Sequence, residues 1–214
     1  MARVRIFQAG QALDKTRKPT GKARRRSACA GVTLVELMVT LAVAAILTMI
    51  AAPSFTQLMD NNRASGVAME LVASLNLARS EAARQGMRVS LCKTADADAT
   101  TPACATSGGW QSGWMLFTDN MGTPGVIEES DAGHAGNPEY NDVRLRIQQS
   151  SYSGVTITGA ALFANSVTFE RDTSLYNPSS TYPDDTKLTI CAGHAQRVIT
   201  IDNAGIVQVS KGSC

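Results

Sequence analysis

The stretch GVTLVELMVTLAVAAILTMIAAP, residues 31–53, decides how the rest of the chain is organised. Within it, residues 32–52 are a run of 21 residues in which Glu36 is the single charged side chain. At about 1.5 Å per residue, a helix of this length spans about 30 Å, the thickness of the hydrocarbon core of a membrane. The stretch therefore predicts one transmembrane helix over 32–53, and we expect Pro53 to kink it.

The segment before this stretch differs from the rest of the chain in charge. Residues 1–31 carry nine of the 20 Lys and Arg residues and one of the 18 acidic residues, Asp14, which leaves a net charge of about −6 on residues 32–214. One interpretation is a disordered basic arm that binds nucleic acid or lipid head groups. The position of KARRR (22–26), just before the apolar run, favours a second interpretation, in which positive charge holds this end in the cytoplasm and the C-terminal part lies outside it.

The apolar run has two further interpretations, a cleaved secretory signal and a plain membrane anchor. A secretory signal has a shorter apolar core and a cleavage site after that core, whereas here a helical pattern continues. A plain membrane anchor explains length and orientation but not a carboxylate in lipid, which is costly. If the chain were cut between Gly31 and Val32, the new α-amino group of a neighbouring copy could pair with Glu36. We therefore favour an assembly role for Glu36.

The order of residues from Gly31 to Glu36, followed by about twenty apolar residues and Pro53, resembles the class III signal of type IV pilins and type II secretion pseudopilins. The resemblance implies that a prepilin peptidase cuts after Gly31 and methylates the new N-terminus, Val32. It also implies that Glu36 serves assembly into a helical filament. Two departures are Val32, where the family usually has Phe, and the long leader, residues 1–31.

After Pro53 the sequence predicts an amphipathic helix over 54–86. Apolar residues recur at i, i+4, i+7 and i+11, with Gly86 as a stop signal. We expect this stripe to pack on a sheet, and we expect Arg79, Glu81 and Arg84 to face elsewhere. The stripe consists of Leu71, Leu75, Ala78 and Ala82.

From residue 87 onward, short alternating runs broken by Gly, Pro, Asn and Asp predict an extracellular β domain. The last two predicted strands read as a hairpin around Asn-Ala-Gly, and we expect residues 120–141 to form a surface loop. The predicted strands are 87–92, 113–119, 142–148, 154–158, 166–172, 187–192, 196–202 and 205–210.

Five cysteines support an oxidising compartment for this domain. Cys29 would be lost with the leader, which leaves Cys92, Cys104, Cys191 and Cys214 with three possible pairings. We favour Cys92–Cys104 and Cys191–Cys214, because each closes a local loop; the alternative is that one pair is free and buried.

The whole layout is similar to the GspH/FimT group of minor pilins and pseudopilins. The similarity rests on the long helix, the segment from Cys92 to Asp119, and the late LTIC, ITIDNAG and final Cys. It implies an α+β pilin-like fold, in which the long N-terminal helix packs on an antiparallel β domain. The group's central motif matches Trp110, Trp114, Phe117 and Asp119, whose aromatic members we expect in the core.

Enzymatic, metal and cofactor functions are poorly supported. The two histidines are His134, in a Gly-rich stretch, and His194, whose spacing from Cys191 resembles half a metal site without a second half. Asp184 and Asp185 are typical of a solvated turn more than of a calcium site. We therefore expect no enzyme, no metal and no cofactor.

DNA binding is the serious alternative, because some FimT-like minor pilins bind DNA through a G-R-x-R motif. The corresponding residues here, Gly205 to Gln208, contain no Arg, and only Arg197 and Lys211 lie nearby in the sequence. The acidic charge after residue 31 also opposes phosphate binding. DNA is therefore not expected as a partner.

Taken with the resemblance, these patterns favour a non-enzymatic minor pilin that helps to initiate a type IV pilus. The corresponding pseudopilin of a type II secretion system remains the alternative. The expected partners are the prepilin peptidase, other major and minor pilins or pseudopilins, and the bacterial inner membrane, which the chain crosses once with a periplasmic C-terminus.

Overall fold

The computed structural model describes residues 31–120, 122–128, 141–149, 152–177 and 185–214. Within these ranges, one helix, α1 (Leu34–Gln85), is followed by eight antiparallel strands, and residues Ala45–Cys214 form one compact unit. The strands are β1 (Arg88–Lys93), β2 (Gly113–Asp119), β3 (Arg144–Gln149), β4 (Val155–Gly159), β5 (Ser166–Phe169), β6 (Lys187–Ala192), β7 (Ala195–Ile201) and β8 (Val207–Ser213).

The two predicted helical segments are one helix. Its first helical residue is Leu34, two residues later than the predicted start, and position 53 lies within it. The kink at Pro53 stays a prediction. The helix ends at Gln85 because Gly86 adopts a φ of +66° and donates its amide hydrogen to the Ala82 carbonyl at 3.0 Å.

The eight strands form two four-stranded sheets. Sheet A has the order β3-β2-β1-β5, and sheet B has the order β4-β6-β7-β8. The α1 stripe predicted from the sequence is fully buried, and it joins one core with apolar residues from both sheets, among them Val89, Trp114, Ile190 and Ile199. The helix and both sheets therefore share one main core, and the expectation that the stripe packs on a sheet is confirmed.

Sheet A has a second, smaller core on its other face. Cys92, Met115 and Phe117 are buried there, with Cys104 and Ile127 packed against them. Every residue of β2 is consequently buried. Residues 122–128 are thus not simply the surface loop that the sequence predicted, since Ile127 covers this core; residues 121 and 129–140 of that loop lie outside the described residues.

Three predicted strand boundaries are wrong for local reasons. β5 stops at Phe169 because the chain turns back, with the Thr173 amide donating to the Glu170 carbonyl at 2.8 Å. β3 begins at Arg144, after Asp142 has accepted two backbone amides at the loop ends. β8 begins at Val207, because Gly205 belongs to the turn, and continues to Ser213.

The last hairpin is confirmed, with β7 and β8 paired without interruption from Ala195–Ser213 to Ile201–Val207.

The predicted orientation of Arg79 is wrong. It was expected to face away from the domain, but it is half-buried and its guanidinium donates to the carbonyl oxygens of Thr173 and Ala204, the latter at 3.0 Å. Glu81 and Arg84 do pair with each other on the helix surface. Arg79 therefore ties α1 to the two turns that follow β5 and β7.

Candidate functional site

The start of α1 holds the residues that the sequence singled out for processing and assembly. Thr33 caps the helix: its Oγ1 accepts the Glu36 amide hydrogen at 3.2 Å, and its carbonyl accepts that of Leu37 at 3.1 Å. Glu36 consequently lies in the first turn, where the partial positive charge of the helix N-terminus favours a carboxylate.

The residues around the predicted cleavage point are open. A Cβ built at Gly31 meets no other atom within 4 Å, and Val32 is 69% exposed. Glu36 is exposed as well, and among the described residues no side chain forms a salt bridge or hydrogen bond with its carboxylate. The geometry leaves this carboxylate available to a group from outside the chain.

The first half of α1 presents apolar side chains on all its faces. It contains a window of mean hydropathy 2.4, none of which is buried, and the helix is long and apolar enough to cross a membrane. The hydroxyls of Thr40 and Thr48 donate to the carbonyls of Leu37 and Ala45, so both polar groups are satisfied within the helix. Large exposed side chains include Leu34, Leu37, Leu41, Ile46, Leu47, Ile50, Phe55 and Leu58.

The four cysteines after the leader form the two favoured disulfides. Cys92 is bonded to Cys104, with 5.5 Å between their Cα atoms, and Cys191 is bonded to Cys214, with 6.1 Å between theirs. The disulfide removes the Cys191 thiolate that a metal site with His194 would need. No group of three or more metal-binding side chains occurs among the described residues, which do not include His134 or Asp184.

The aromatic residues of the central motif are structural. Trp110, Trp114 and Phe117 are at most 1% exposed. The Trp110 indole donates to the Phe163 carbonyl at 3.0 Å, and the Trp114 indole donates to Ser74 Oγ on α1 at 2.9 Å. Both indole nitrogens thus have partners inside the protein, and the expectation that these residues belong to the core is confirmed.

Asp119, the remaining residue of that motif, is a buried carboxylate at the end of β2. It accepts hydrogen bonds from Ser90 Oγ at 2.6 Å and from the Gly125 amide at 2.7 Å, and it forms a salt bridge with Arg88 at 3.2 Å. Burial raises the pKa of Asp119, against the opposing effect of these donors. Its role is to hold the chain after β2 against sheet A.

Asp142 holds the other end of the same connection, a role that the sequence analysis did not identify. Its two oxygens accept the amides of Asn120 at 3.0 Å and Glu128 at 2.8 Å. Burial raises the pKa of Asp142 to about 6, and the neighbouring charge of Asp119 acts in the same direction. Asp is common in turns before strands, so the position of Asp142 in the sequence did not indicate that its side chain would bind these two amides.

The turn that would correspond to a DNA-binding motif is used for packing. Gly205 has a φ of +73°, and a Cβ there would collide with the Thr173 carbonyl oxygen and approach the Arg79 guanidinium. A glycine is required here because the turn that follows β5 packs directly against its backbone.

Two family models match the chain. Residues 67–205 match the family described as type II transport protein GspH. Residues 26–52 match the prokaryotic N-terminal methylation motif, which contains the predicted cleavage point and Glu36. No curated protein matches the chain.

Two crystal structures of the type IV minor pilin FimU from Pseudomonas aeruginosa are similar to this chain at 21% sequence identity. One has a TM-score of 0.45 and a match that covers 70% of this chain and 96% of that chain. The other has a TM-score of 0.47, with 72% and 93% covered.

Proposed function

Because the chain belongs to the GspH family and carries the N-terminal methylation motif, we propose that it is a minor subunit of a type IV pilus that helps to initiate filament assembly. The family is one of structural rather than catalytic proteins, whose members assemble with other pilins or pseudopilins. The chain itself is non-enzymatic. Before assembly it resides in the bacterial inner membrane, with its C-terminus in the periplasm.

The observation that carries the proposal is the surface of α1 before the β domain. Large apolar side chains there are exposed on every face, while Glu36 has no partner among the described residues. A lone membrane anchor needs the apolar surface but gains nothing from the carboxylate. A helix that moves from lipid into a bundle of like helices uses both.

The proposed chemistry of Glu36 follows from its place in the helix. Cleavage by a prepilin peptidase between Gly31 and Val32 would create an α-amino group, which is positively charged at neutral pH. In a filament the amine of one subunit could reach the Glu36 carboxylate of the next. Away from water such a pair is much stronger than at a protein surface.

The test of processing is mass spectrometry of the mature N-terminus in the native host. We expect Val32 as the first residue, carrying one methyl group. A Gly31→Leu variant should keep the leader, whereas Gly10→Leu, within the leader, should be processed as usual. A native chain that still carries residues 1–31 would contradict the proposal.

The test of assembly uses three substitutions at one position. Glu36→Gln keeps the size and loses the charge, and Glu36→Ala loses both; each should insert in the membrane but be depleted from sheared filaments. Glu36→Asp keeps the charge and should be incorporated better than either. Equal incorporation of all variants would disprove the role given to the carboxylate.

A second candidate is the equivalent subunit of a type II secretion pseudopilus, which membership in the family of type II transport protein GspH favours. Deleting the gene decides between the two. Loss of surface pili with normal protein export supports the pilus, and loss of export with normal pili supports the pseudopilus.

A further inference from the structure

We propose that β8 and the groove between it and α1 receive an extended strand from a different pilin-type subunit, which pairs with β8 as a ninth strand. The idea rests on the proposed function only for the source of that strand, a neighbour in the same filament. Edge pairing of this kind joins backbone hydrogen bonds, which supply affinity, to side-chain pockets, which supply specificity.

β8 is an edge strand, and its hydrogen bonds to β7 show which of its residues point their backbone groups outward. The Cys214 amide donates to the His194 carbonyl, and the Asp202 amide donates to the Ile206 carbonyl, so even-numbered residues of β8 point their backbone groups at β7. The amides and carbonyls of the odd-numbered residues, which include Val209 and Lys211, therefore point away from the sheet. No described element pairs with them.

The other three sheet edges are blunted. The edge of β4 is capped where the Ile157 amide donates to the Gln111 side chain at 3.1 Å. The edge of β5 is covered where the Tyr176 amide donates to the Thr168 carbonyl at 2.9 Å. β3 is broken by a bulge where it pairs with Leu116 and Phe117 of β2. Proteins usually protect edges in these ways, whereas β8, with seven unbroken pairs to β7, has no cap, cover or bulge among the described residues and carries only the charge of Lys211.

A groove of about 610 Å³ lies beside this edge. Its floor on α1 includes Ala68 and Val72, and its two apolar walls are Met69, which is 73% exposed, and Val209, which is 49% exposed. Val209 lies on the same face of sheet B as the buried Ile199, its partner on β7. The core face of the sheet thus continues onto β8, but the groove beside it is open.

An added strand would fill this groove in a defined way. Successive side chains of a strand alternate between the two faces of a sheet, so every second residue of the new strand would lie over α1 in the groove. Those residues should be apolar except beside Arg197 and Lys211, which also line the groove, and the alternate residues, on the outer face, should be polar. A helix would also fill the volume but would leave the outward backbone groups of β8 without partners.

The charge of the groove argues for an acidic residue in the partner. Arg197 is 6% exposed, and the bonds described for it go to neutral acceptors: Ser65 Oγ at 2.9 Å, Asn61 Oδ1 at 3.3 Å and the Gln196 carbonyl. Lys211 lies opposite Arg197 on β8, and neither forms a salt bridge with any described residue. A carboxylate on the incoming strand would meet two cations.

The same charges argue against a second copy of this chain as the partner. Pairing β8 with another β8 would bring a second Lys211 to the edge. Pairing it with β3 would bring Arg144 and Arg146. Either arrangement adds positive charge to a positive site.

The test uses site-specific photo-crosslinking of the full-length chain in its native host, with a benzoylphenylalanine in place of Met69 as the reporter. We expect it to crosslink to an alternating apolar and polar segment of another pilin-type subunit, identified by mass spectrometry of the joined peptides. The same reporter in place of Thr158, on β4 at the opposite edge of sheet B, should not form that crosslink.

Val209→Pro separates strand pairing from other docking. Proline removes an outward amide that β7 does not use, so the chain should still fold and form the Cys191–Cys214 disulfide. It should reduce the Met69 crosslink by about fivefold or more, a loss typical of one backbone hydrogen bond with an added steric clash. Val209→Thr keeps the amide and should change the crosslink by less than about twofold.

The outcomes separate this inference from the proposed function, because crosslinks are scored in whole membranes and in sheared filaments. A chain present in filaments but lacking the Met69 crosslink disproves the edge site alone. A crosslink to a helix, to a second copy or one that survives Val209→Pro also disproves it. A Met69 crosslink of the expected kind, with the chain absent from filaments, supports the edge site and contradicts the proposed function.

Discussion

Sheets A and B use the same strand chemistry in different surroundings. In sheet B the two central strands, β6 and β7, alternate, so that Leu188, Ile190 and Ile199 are buried while the residues between them are partly exposed. In sheet A every residue of β2 is buried, because the main core covers one face and the second core around Phe117 covers the other. The difference shows that loops, held by a disulfide and two carboxylates, can act as a third layer.

The largest expected difference in stability is between two substitutions at corresponding positions, each on a central strand and on the face of its sheet that points away from the main core. Phe117→Ala, in the second core of sheet A, should lower the free energy of unfolding by about 3–5 kcal/mol. Val198→Ala, on the outer face of β7 in sheet B, should lower it by less than about 1 kcal/mol. Urea unfolding of the full-length chain in detergent, followed by tryptophan fluorescence, measures both. Equal losses would show that the outer layer of sheet A contributes little.

The two disulfides provide the next comparison. Their sequence separations are 12 and 23 residues, and a loop-closure argument gives each about 3 kcal/mol. Replacing Cys92 and Cys104 by Ser should cost more than replacing Cys191 and Cys214, because Cys92 also belongs to the second core. The same unfolding assay decides. A larger loss for the C-terminal pair would contradict the view that the first disulfide supports a packed layer.

The buried carboxylate of sheet A should matter more than a similar acid in sheet B. Ser90 and Gly125 donate to one oxygen of Asp119 and Arg88 donates to the other, so Asp119→Asn leaves one of these two sets of donors without an acceptor and should cost about 2 kcal/mol. Asp202→Asn, at an exposed turn where the carboxylate accepts the Ile206 amide, should cost about 0.5 kcal/mol or less. Denaturation midpoints of the two variants at pH 7 give the comparison, which fails if Asp202→Asn is the more damaging.

The smallest expected effect is a dependence of stability on pH, caused by Asp142 next to sheet A. The pKa of Asp142 is raised to about 6 in the folded protein from an ordinary value near 4, so the folded state binds a proton that the unfolded chain has lost. Stability from this group is therefore present at low pH and is lost as pH rises through 6. Lowering the pH from 7 to 5.5 should stabilise the chain by about 1 kcal/mol.

Asp142→Asn is the control for this pH dependence, because it removes the titrating group. It should flatten the profile between those two pH values. An unchanged slope in the variant would assign the effect to another group.

Much of the fold could be predicted from the sequence because side-chain periodicity is a local property. The stripe from Leu71 to Ala82 and all eight strands follow from their spacing, and Asn-Ala-Gly identified the hairpin. Periodicity does not name partners, so the division into two sheets was not predictable. Nor was the end of β5, where the turn from Glu170 to Thr173 depends on backbone contacts.

The candidate sites also differ in whether they depend on neighbouring residues or on residues distant in the sequence. The order of residues from Gly31 to Glu36 is itself the signal, so the predicted processing site could be read directly. The roles of Asp142 and Arg79 depend on residues distant in the sequence, and both were missed. The groove beside β8 could not be predicted, because the pattern of β8 alone predicts a strand but not whether both its sides are paired.

The cap on α1 has a consequence for the timing of maturation. Thr33 and Glu36, which form it, both lie after the predicted cleavage point, so this capping hydrogen bond is made within the part of the chain that processing would keep. A precursor and a processed chain would then share the same cap, and cutting would remove the leader and leave a charged amine near the start of the helix. Under the proposed function, a subunit held in the membrane would become competent for filament growth through a single hydrolysis, without refolding of the helix start.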